Sequence, residues 1–102
     1  MNTIVKQRDQ NGRTRFFVLP IDSESGFKEL MRFASEKLSL ALDELKEGPG
    51  TLVQAAKFET VNIVFVLSDL TGMQFYAEDE GNCETAERLG NKIQTILSKM
   101  KK

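Results

Sequence analysis

The run FETVNIVFVL at residues 58–67 is the most apolar continuous stretch of the chain, and residues 63–67 carry no polar side chain. A strand with one solvated face alternates apolar and polar residues, whereas a strand without this alternation is apolar on both faces. The set that we expect to meet helices is Val61, Ile63, Phe65 and Leu67. The opposite set is Phe58, Val64 and Val66. Something other than the helices must therefore cover this second face.

Two alternating segments at the N-terminus predict a β-hairpin. NTIVKQ at residues 2–7 and RTRFFVLP at residues 13–20 flank the segment RDQNGR, in which Asn11-Gly12 is typical of a tight type I′ turn. Pro20 is expected to end the second strand, because proline cannot donate a hydrogen bond to a neighbouring strand.

An amphipathic helix is predicted next. Its apolar residues recur at spacings of three and four: Phe27, Leu30, Met31, Ala34, Leu38, Ala41 and Leu45. Ser23 or Ser25 is the expected N-cap, and the segment Gly48-Pro49-Gly50 is expected to end the helix.

The second half of the chain predicts another hairpin and another helix. Residues 51–57 are either an extended lead-in or a short helical turn, and residues 73–78, MQFYAE, alternate as a strand. Asn82 is a plausible N-cap for the last helix, whose apolar stripe is Ala86, Leu89, Ile93, Ile96, Leu97 and Met100.

The predicted fold is α+β, in the order ββαββα. We expect a four-stranded antiparallel sheet with two helices packed on one face, because each helix has a single apolar stripe to bury. The 102 residues are expected to form one domain, with two similar ββα halves at 1–47 and 51–102.

The composition argues against most catalytic and metal chemistry. The chain has no histidine and one cysteine, Cys83, so catalytic triads with histidine, zinc sites with histidine and cysteine–histidine pairs are excluded. Asp22 and Asp69 are explained by neighbouring turns or caps, and the acidic run 78–80 matches no calcium loop. No phosphate-binding glycine motif is present. We therefore expect a protein without catalytic residues, cofactor or metal.

The apolar runs also bear on location. None approaches the roughly 18 residues of a membrane span, and the N-terminal residues do not resemble a signal peptide. A cytoplasmic protein that does not enter a membrane is the expectation.

The leading functional hypothesis is a binding module that associates with a second copy or with another protein. The surplus of apolar strand surface favours a homodimer, because a self-complementary face closes with two-fold symmetry. The expected contacts lie on the outer flank of the first helix and on the second face of the central strand: Phe33, Leu40, Phe58, Val64 and Val66.

The alternative hypothesis is a small protein that binds single-stranded nucleic acid. Residues 1–16 carry four basic residues against Asp9, a net charge of +3, whereas the remainder carries −4 and the whole chain −1. Basic residues beside sheet aromatics can hold phosphates and stack bases. The candidate residues are Lys6, Arg8, Arg13, Arg15, Phe16 and Tyr76. The other interpretation is that the phenylalanines belong to the core and the arginines solubilise the hairpin.

Overall fold

The structure, a computed structural model, describes residues 3–8, 10, 12–19, 21, 23–70 and 72–100. It confirms an α+β fold with two helices and an antiparallel sheet. The elements in chain order are β1 (Thr3–Arg8), β2 (Thr14–Leu19), α1 (Glu24–Leu38), β3 (Ala41–Leu42), β4 (Lys46–Gly48), β5 (Thr51–Phe58), β6 (Val61–Ser68), β7 (Gly72–Ala77) and α2 (Cys83–Met100). A short 3₁₀ turn, Glu80–Asn82, leads into α2.

The sheet is larger than the sequence predicted. Over the described residues it has seven strands in the order β1-β2-β7-β6-β5-β3, and β4 also pairs with β5. The expectation of four strands in the order ββαββα was therefore wrong. The additional strands come from residues 41–58, where the sequence suggested the end of a helix and an ambiguous lead-in.

The predicted first hairpin forms between β1 and β2. β1 and β2 pair antiparallel from Thr3 opposite Leu19 to Arg8 opposite Thr14. Residues 9–13 therefore connect the strands, within the predicted connecting segment. Gly12 has a φ of +83°, a conformation that suits glycine. Asn11 and Pro20 lie outside the described residues.

Helix α1 begins where the sequence predicts and ends earlier. The Ser23 side chain accepts a hydrogen bond from the backbone N–H of Gly26, which identifies Ser23 as the N-cap. Ser39 has a φ of 58° and ends the helix in the left-handed conformation. Assigning Ala41 and Leu45 to the helical stripe was therefore wrong, because the chain turns at Ser39 to place β3 and β4 along β5.

The segment Gly48-Pro49-Gly50 forms a hairpin turn and does not cap a helix. Gly48 lies opposite Thr51 in the β4–β5 pairing, so Pro49 and Gly50 form the two-residue connection. Gly50 has a φ of +65°. Proline followed by a left-handed glycine is typical of the centre of a type II turn.

Strands β5 and β6 are joined by a turn that the sequence does not reveal. Phe58 lies opposite Val61, leaving Glu59 and Thr60 as the connection, with φ values of 54° and 67°. Two successive positive φ angles are characteristic of a type I′ turn, which normally favours Asn and Gly. The predicted strand 58–67 is therefore the end of β5, this turn and most of β6.

The helices pack on one face of the sheet. A single core cluster contains the buried stripes of α1 and α2, and from the strands only the residues that point to the same side. On β6 those residues are Ile63, Phe65 and Leu67, with Val61 packed at the margin, as the sequence predicted. The phenyl ring of Phe75 stacks on Phe16 with ring centroids 5.2 Å apart.

Helix α2 also closes one edge of the sheet. The backbone N–H of Ile4, on the edge strand β1, donates to Oε1 of Gln94 at 2.7 Å. Lys6 on the same strand forms an ion pair with Glu87 at 3.0 Å. These contacts occupy part of an edge that could otherwise pair with another chain. Across the described residues, neither helix has the length and apolarity needed to cross a membrane.

Candidate interaction surface

The side of the sheet opposite the helices, which we call the outer face, carries a set of apolar and aromatic side chains. Directly opposed residues in an antiparallel pair share a face, so the register identifies the members. They are Val5, Phe17, Val53, Ala55, Val64, Val66 and Tyr76. All are half-buried, and none belongs to the core cluster. Neither helix contributes to their burial.

The pairings bring these side chains together in two rows. In the first row Val53 lies opposite Val66, and Phe17 lies opposite Val5. In the second row Val64 lies between Ala55 on β5 and Tyr76 on β7. Because the rows are adjacent on the same strands, the valines of β5 and β6 form one continuous apolar patch.

A polar and cationic cluster borders this patch on β2 and β7. The Cζ atom of Arg15 lies 4.6 Å from the centroid of the Tyr76 ring, and that of Arg13 lies 5.0 Å away. Arg15 also donates to Oε1 of Gln74 at 2.9 Å. Arg13 donates to the carbonyl oxygen of Ala77 at 3.1 Å. These contacts fix both guanidinium groups against an aromatic ring, a favourable cation–π arrangement.

Charges of both signs surround the outer face. Lys46 lies opposite Val53, and Lys57 lies opposite Asn62, so both lysines point to this side. Asp43 and Glu78 lie at its margins: Asp43 N–H donates to the Ala55 carbonyl, and Glu78 N–H donates to that of Asn62. An apolar centre with a mixed-charge rim is the composition of many protein interfaces.

Two of the residues predicted to contact a partner lie in the core. Leu40 is 6% exposed and Phe58 is 5% exposed. The outward orientation assigned to Phe58 was wrong, because Phe58 belongs to β5 and lies opposite Val61 on the helix side. Val64 and Val66 do point to the outer face. Phe33 lies elsewhere, in a groove between α1 and α2.

The nucleic-acid candidates are divided between the two faces of the sheet. Arg13, Arg15 and Tyr76 form the cluster described above. Phe16 is 2% exposed and stacks in the core. Lys6 is paired with Glu87 on α2, and Arg8 shares the helix side of β1 because it lies opposite Thr14, which is buried.

The sequence did not identify several outer-face residues as contacts. Val53 and Ala55 fall in the segment that was ambiguous between extended and helical structure. Val5 and Phe17 belong to a hairpin whose inward side could not be fixed from alternation alone. Alternation does place Phe17 on the opposite side of β2 from Phe16 and Val18, and the structure shows that Phe16 and Val18 are the buried pair.

Other polar residues have local structural roles. The Asp79 carboxylate accepts a hydrogen bond from the backbone N–H of Gly81 at 3.0 Å, in the turn before α2. The Lys28 ammonium donates to Glu24 on α1, and this hydrogen bond raises the pKa of Lys28. Within the described part of the chain, no three potential ligands from His, Cys, Asp and Glu cluster closely enough to hold a metal. Asp22 lies outside that part.

No protein-family model matches the chain, and comparisons with curated proteins and with solved structures find no significant match. The surfaces of the molecule itself are therefore the basis for its proposed function.

Proposed function

We propose that the protein is a non-enzymatic binding module that pairs with a second copy of itself through the outer face. The observation that carries this proposal is the continuous apolar patch of Val53, Ala55, Val64 and Val66, which neither helix covers. Contiguous apolar surface on a small domain is typical of an interaction site. Burying it removes apolar area from water at about 25 cal/mol per Å².

The dimensions of the face suit a small interface. Strands of six to eight residues, at about 3.3 Å per residue, are about 20–26 Å long. The five longer strands, about 4.8 Å apart, give a width of about 20 Å. Such a footprint is at the lower end of specific protein interfaces, so we expect a dimer with a dissociation constant in roughly the micromolar range.

The charge distribution is compatible with two-fold pairing. Stacked sheets lie about 10 Å apart, so their apolar centres interdigitate while longer side chains meet at the rim. The rim holds cations, Arg13, Lys46 and Lys57, together with the anions Asp43 and Glu78. A second copy can therefore supply carboxylates to the cations of the first.

Sedimentation equilibrium tests the proposal. At physiological salt, the average mass should rise from that of a monomer toward that of a dimer as the protein concentration passes through the micromolar range. A mass that stays monomeric up to several hundred micromolar contradicts self-association.

A second candidate function, single-stranded nucleic-acid binding, is supported by the cluster of Arg13 and Arg15 on Tyr76, with Phe17 on the same face. Guanidinium groups can contact phosphates, and bases can stack on guanidinium planes or rings. In this case a fluorescein-labelled oligonucleotide should bind at low salt, with affinity that falls as salt rises.

A pair of variants separates the two candidates. Arg13→Glu combined with Arg15→Glu should abolish oligonucleotide binding, whereas the same reversal at Lys92 and Lys99 on α2 is the matched control and should preserve it. Absence of binding by the wild-type protein at low salt excludes this second candidate and leaves the first unaffected.

A further inference from the structure

A groove between the C-terminal halves of the two helices is the second distinctive surface of the molecule. Its volume is about 470 Å³, and it is open to solvent. Its apolar lining consists of Phe33 and Leu38 from α1 and Ile96 from α2. The groove lies on the helix side of the molecule, opposite the outer face, so the proposed dimer leaves it accessible.

Lysines surround this groove. Lys37, Lys92 and Lys99 line it, and among the residues that the structure describes no acidic side chain does so. These lysines form no ion pair with any other described residue. The guanidinium of Arg32 also lies over the Phe33 ring, with its Cζ atom 5.6 Å from the centroid. The electrostatic environment therefore favours an anionic ligand.

The spacing of the lysines indicates a ligand with several negative charges. Lys92 and Lys99 are seven residues apart on one helix, which corresponds to about 10 Å along its axis. Lys37 stands across the groove on the other helix. Carboxylates spaced along a peptide helix can pair with lysines that are distributed over this length. An apolar groove between helices commonly receives the apolar face of such a peptide.

We propose that this groove binds an acidic amphipathic helix of a partner protein. The apolar side chains of that helix contact Phe33, Leu38 and Ile96, and its carboxylates pair with Lys37, Lys92 and Lys99. The site is independent of the outer face, so a ligand here can bind to either the monomer or the dimer.

The probe for this proposal is a synthetic fluorescein-labelled peptide of about 14 residues, or four helical turns. Its leucines follow an i, i+3, i+4, i+7 pattern, and its other positions are Glu or Ala. A second peptide replaces every Glu by Lys. Fluorescence anisotropy should show binding of the Glu peptide and none of the Lys peptide, because only the former complements the lysines.

Variants of the groove residues test whether the Glu peptide binds in the groove. Lys92→Glu combined with Lys99→Glu should weaken binding of the Glu peptide by at least about tenfold, since attractive pairs become repulsive. Phe33→Ser should weaken it by removing the apolar contact. The matched control, Lys46→Glu combined with Lys57→Glu on the outer face, should bind as the wild type does. Circular dichroism melting establishes that each variant is folded.

Four results overturn the proposal. The proposal is wrong if the Glu peptide does not bind the wild-type protein at millimolar concentration, or if both peptides bind equally. It is also wrong if the Lys92 and Lys99 reversals leave binding unchanged. Binding to anionic phospholipid vesicles without binding to the peptide also overturns it, since the ligand is then a membrane surface.

Discussion

Val53 and Val66 lie directly opposite each other on neighbouring strands, and both side chains point away from the two helices. This pair accounts for the unusual composition of the run at 58–67. Strand β6 alternates as an ordinary strand does, but its two central outward positions, Val64 and Val66, are valines, so no polar residue interrupts residues 63–67. The outer face therefore has an apolar centre that the chain does not cover with a helix.

The most direct variant for this face is Val66→Lys. A lysine at the centre of the patch must lose its hydration when two copies pack together, so we expect the dimer dissociation constant to rise at least about a hundredfold. Sedimentation equilibrium measures the change, and circular dichroism checks the fold. Leu70→Lys is the control, because Leu70 is 93% exposed in the β6–β7 connection. If the Val66→Lys variant dimerises with the same dissociation constant as the wild type, the proposed interface is wrong.

Gly90 lies on the side of α2 that packs against the sheet. A Cβ atom at this position would lie 3.4 Å from Cζ of Phe75 and 3.5 Å from Cγ2 of Ile4, which is ordinary van der Waals contact. Gly90→Ala should therefore stabilise the protein by up to about 1 kcal/mol through helix propensity. Gly90→Leu should destabilise it by at least about 1–3 kcal/mol, because the larger side chain overpacks the core. Urea denaturation distinguishes the two, and equal effects contradict the described packing.

The turn between β5 and β6 is conformationally strained. Thr60 has a φ of 67°, which is unfavourable for a β-branched residue, whereas glycine adopts it freely. Thr60→Gly should raise the free energy of unfolding by about 1 kcal/mol, measured by chemical denaturation. Thr51→Gly, in a strand rather than a turn, is the comparison and should lower it. A loss of stability in Thr60→Gly contradicts the positive φ.

The start of α1 offers a matched pair of serines. The Ser23 hydroxyl accepts the hydrogen bond from Gly26 N–H at 3.1 Å, whereas Ser25 lies within the first turn of the helix. Ser23→Ala should lower the free energy of unfolding by about 1 kcal/mol, and Ser25→Ala should change it by much less. Thermal melting at one protein concentration measures both. The reverse order would mean that Ser25 is the cap.

Much of the architecture followed from short-range patterns in the sequence. The stripe from Phe27 to Ala34 and the Ser23 cap are local features of a helix, and the structure contains both. The alternation of Met73, Phe75 and Ala77 likewise predicted their common orientation, and all three are buried. In these segments the local preference and the tertiary environment agree.

The prediction failed where the chain changes direction without glycine or proline. Ser39 adopts a left-handed conformation, which is rare for serine, so the sequence has no signal for the helix end at this position. The apolar spacing through Ala41 and Leu45 therefore suggested a longer helix. Glu59 and Thr60 concealed a hairpin turn for the same reason. In both places, pairing along β5 outweighs local preference. The groove at Phe33 was unpredictable because it depends on how two distant helices are placed.

The central claim, that two copies meet through the outer face, can be tested by NMR on a mixed sample. One population carries ¹³C-labelled valine methyl groups and the other is unlabelled, and isotope-filtered spectra detect only contacts between copies. We predict intermolecular contacts from Val53, Val64 and Val66 to aromatic protons of the partner. Intermolecular contacts that involve only α1 or α2 contradict this claim. So does the absence of any intermolecular contact at about 500 μM, a concentration well above a micromolar dissociation constant.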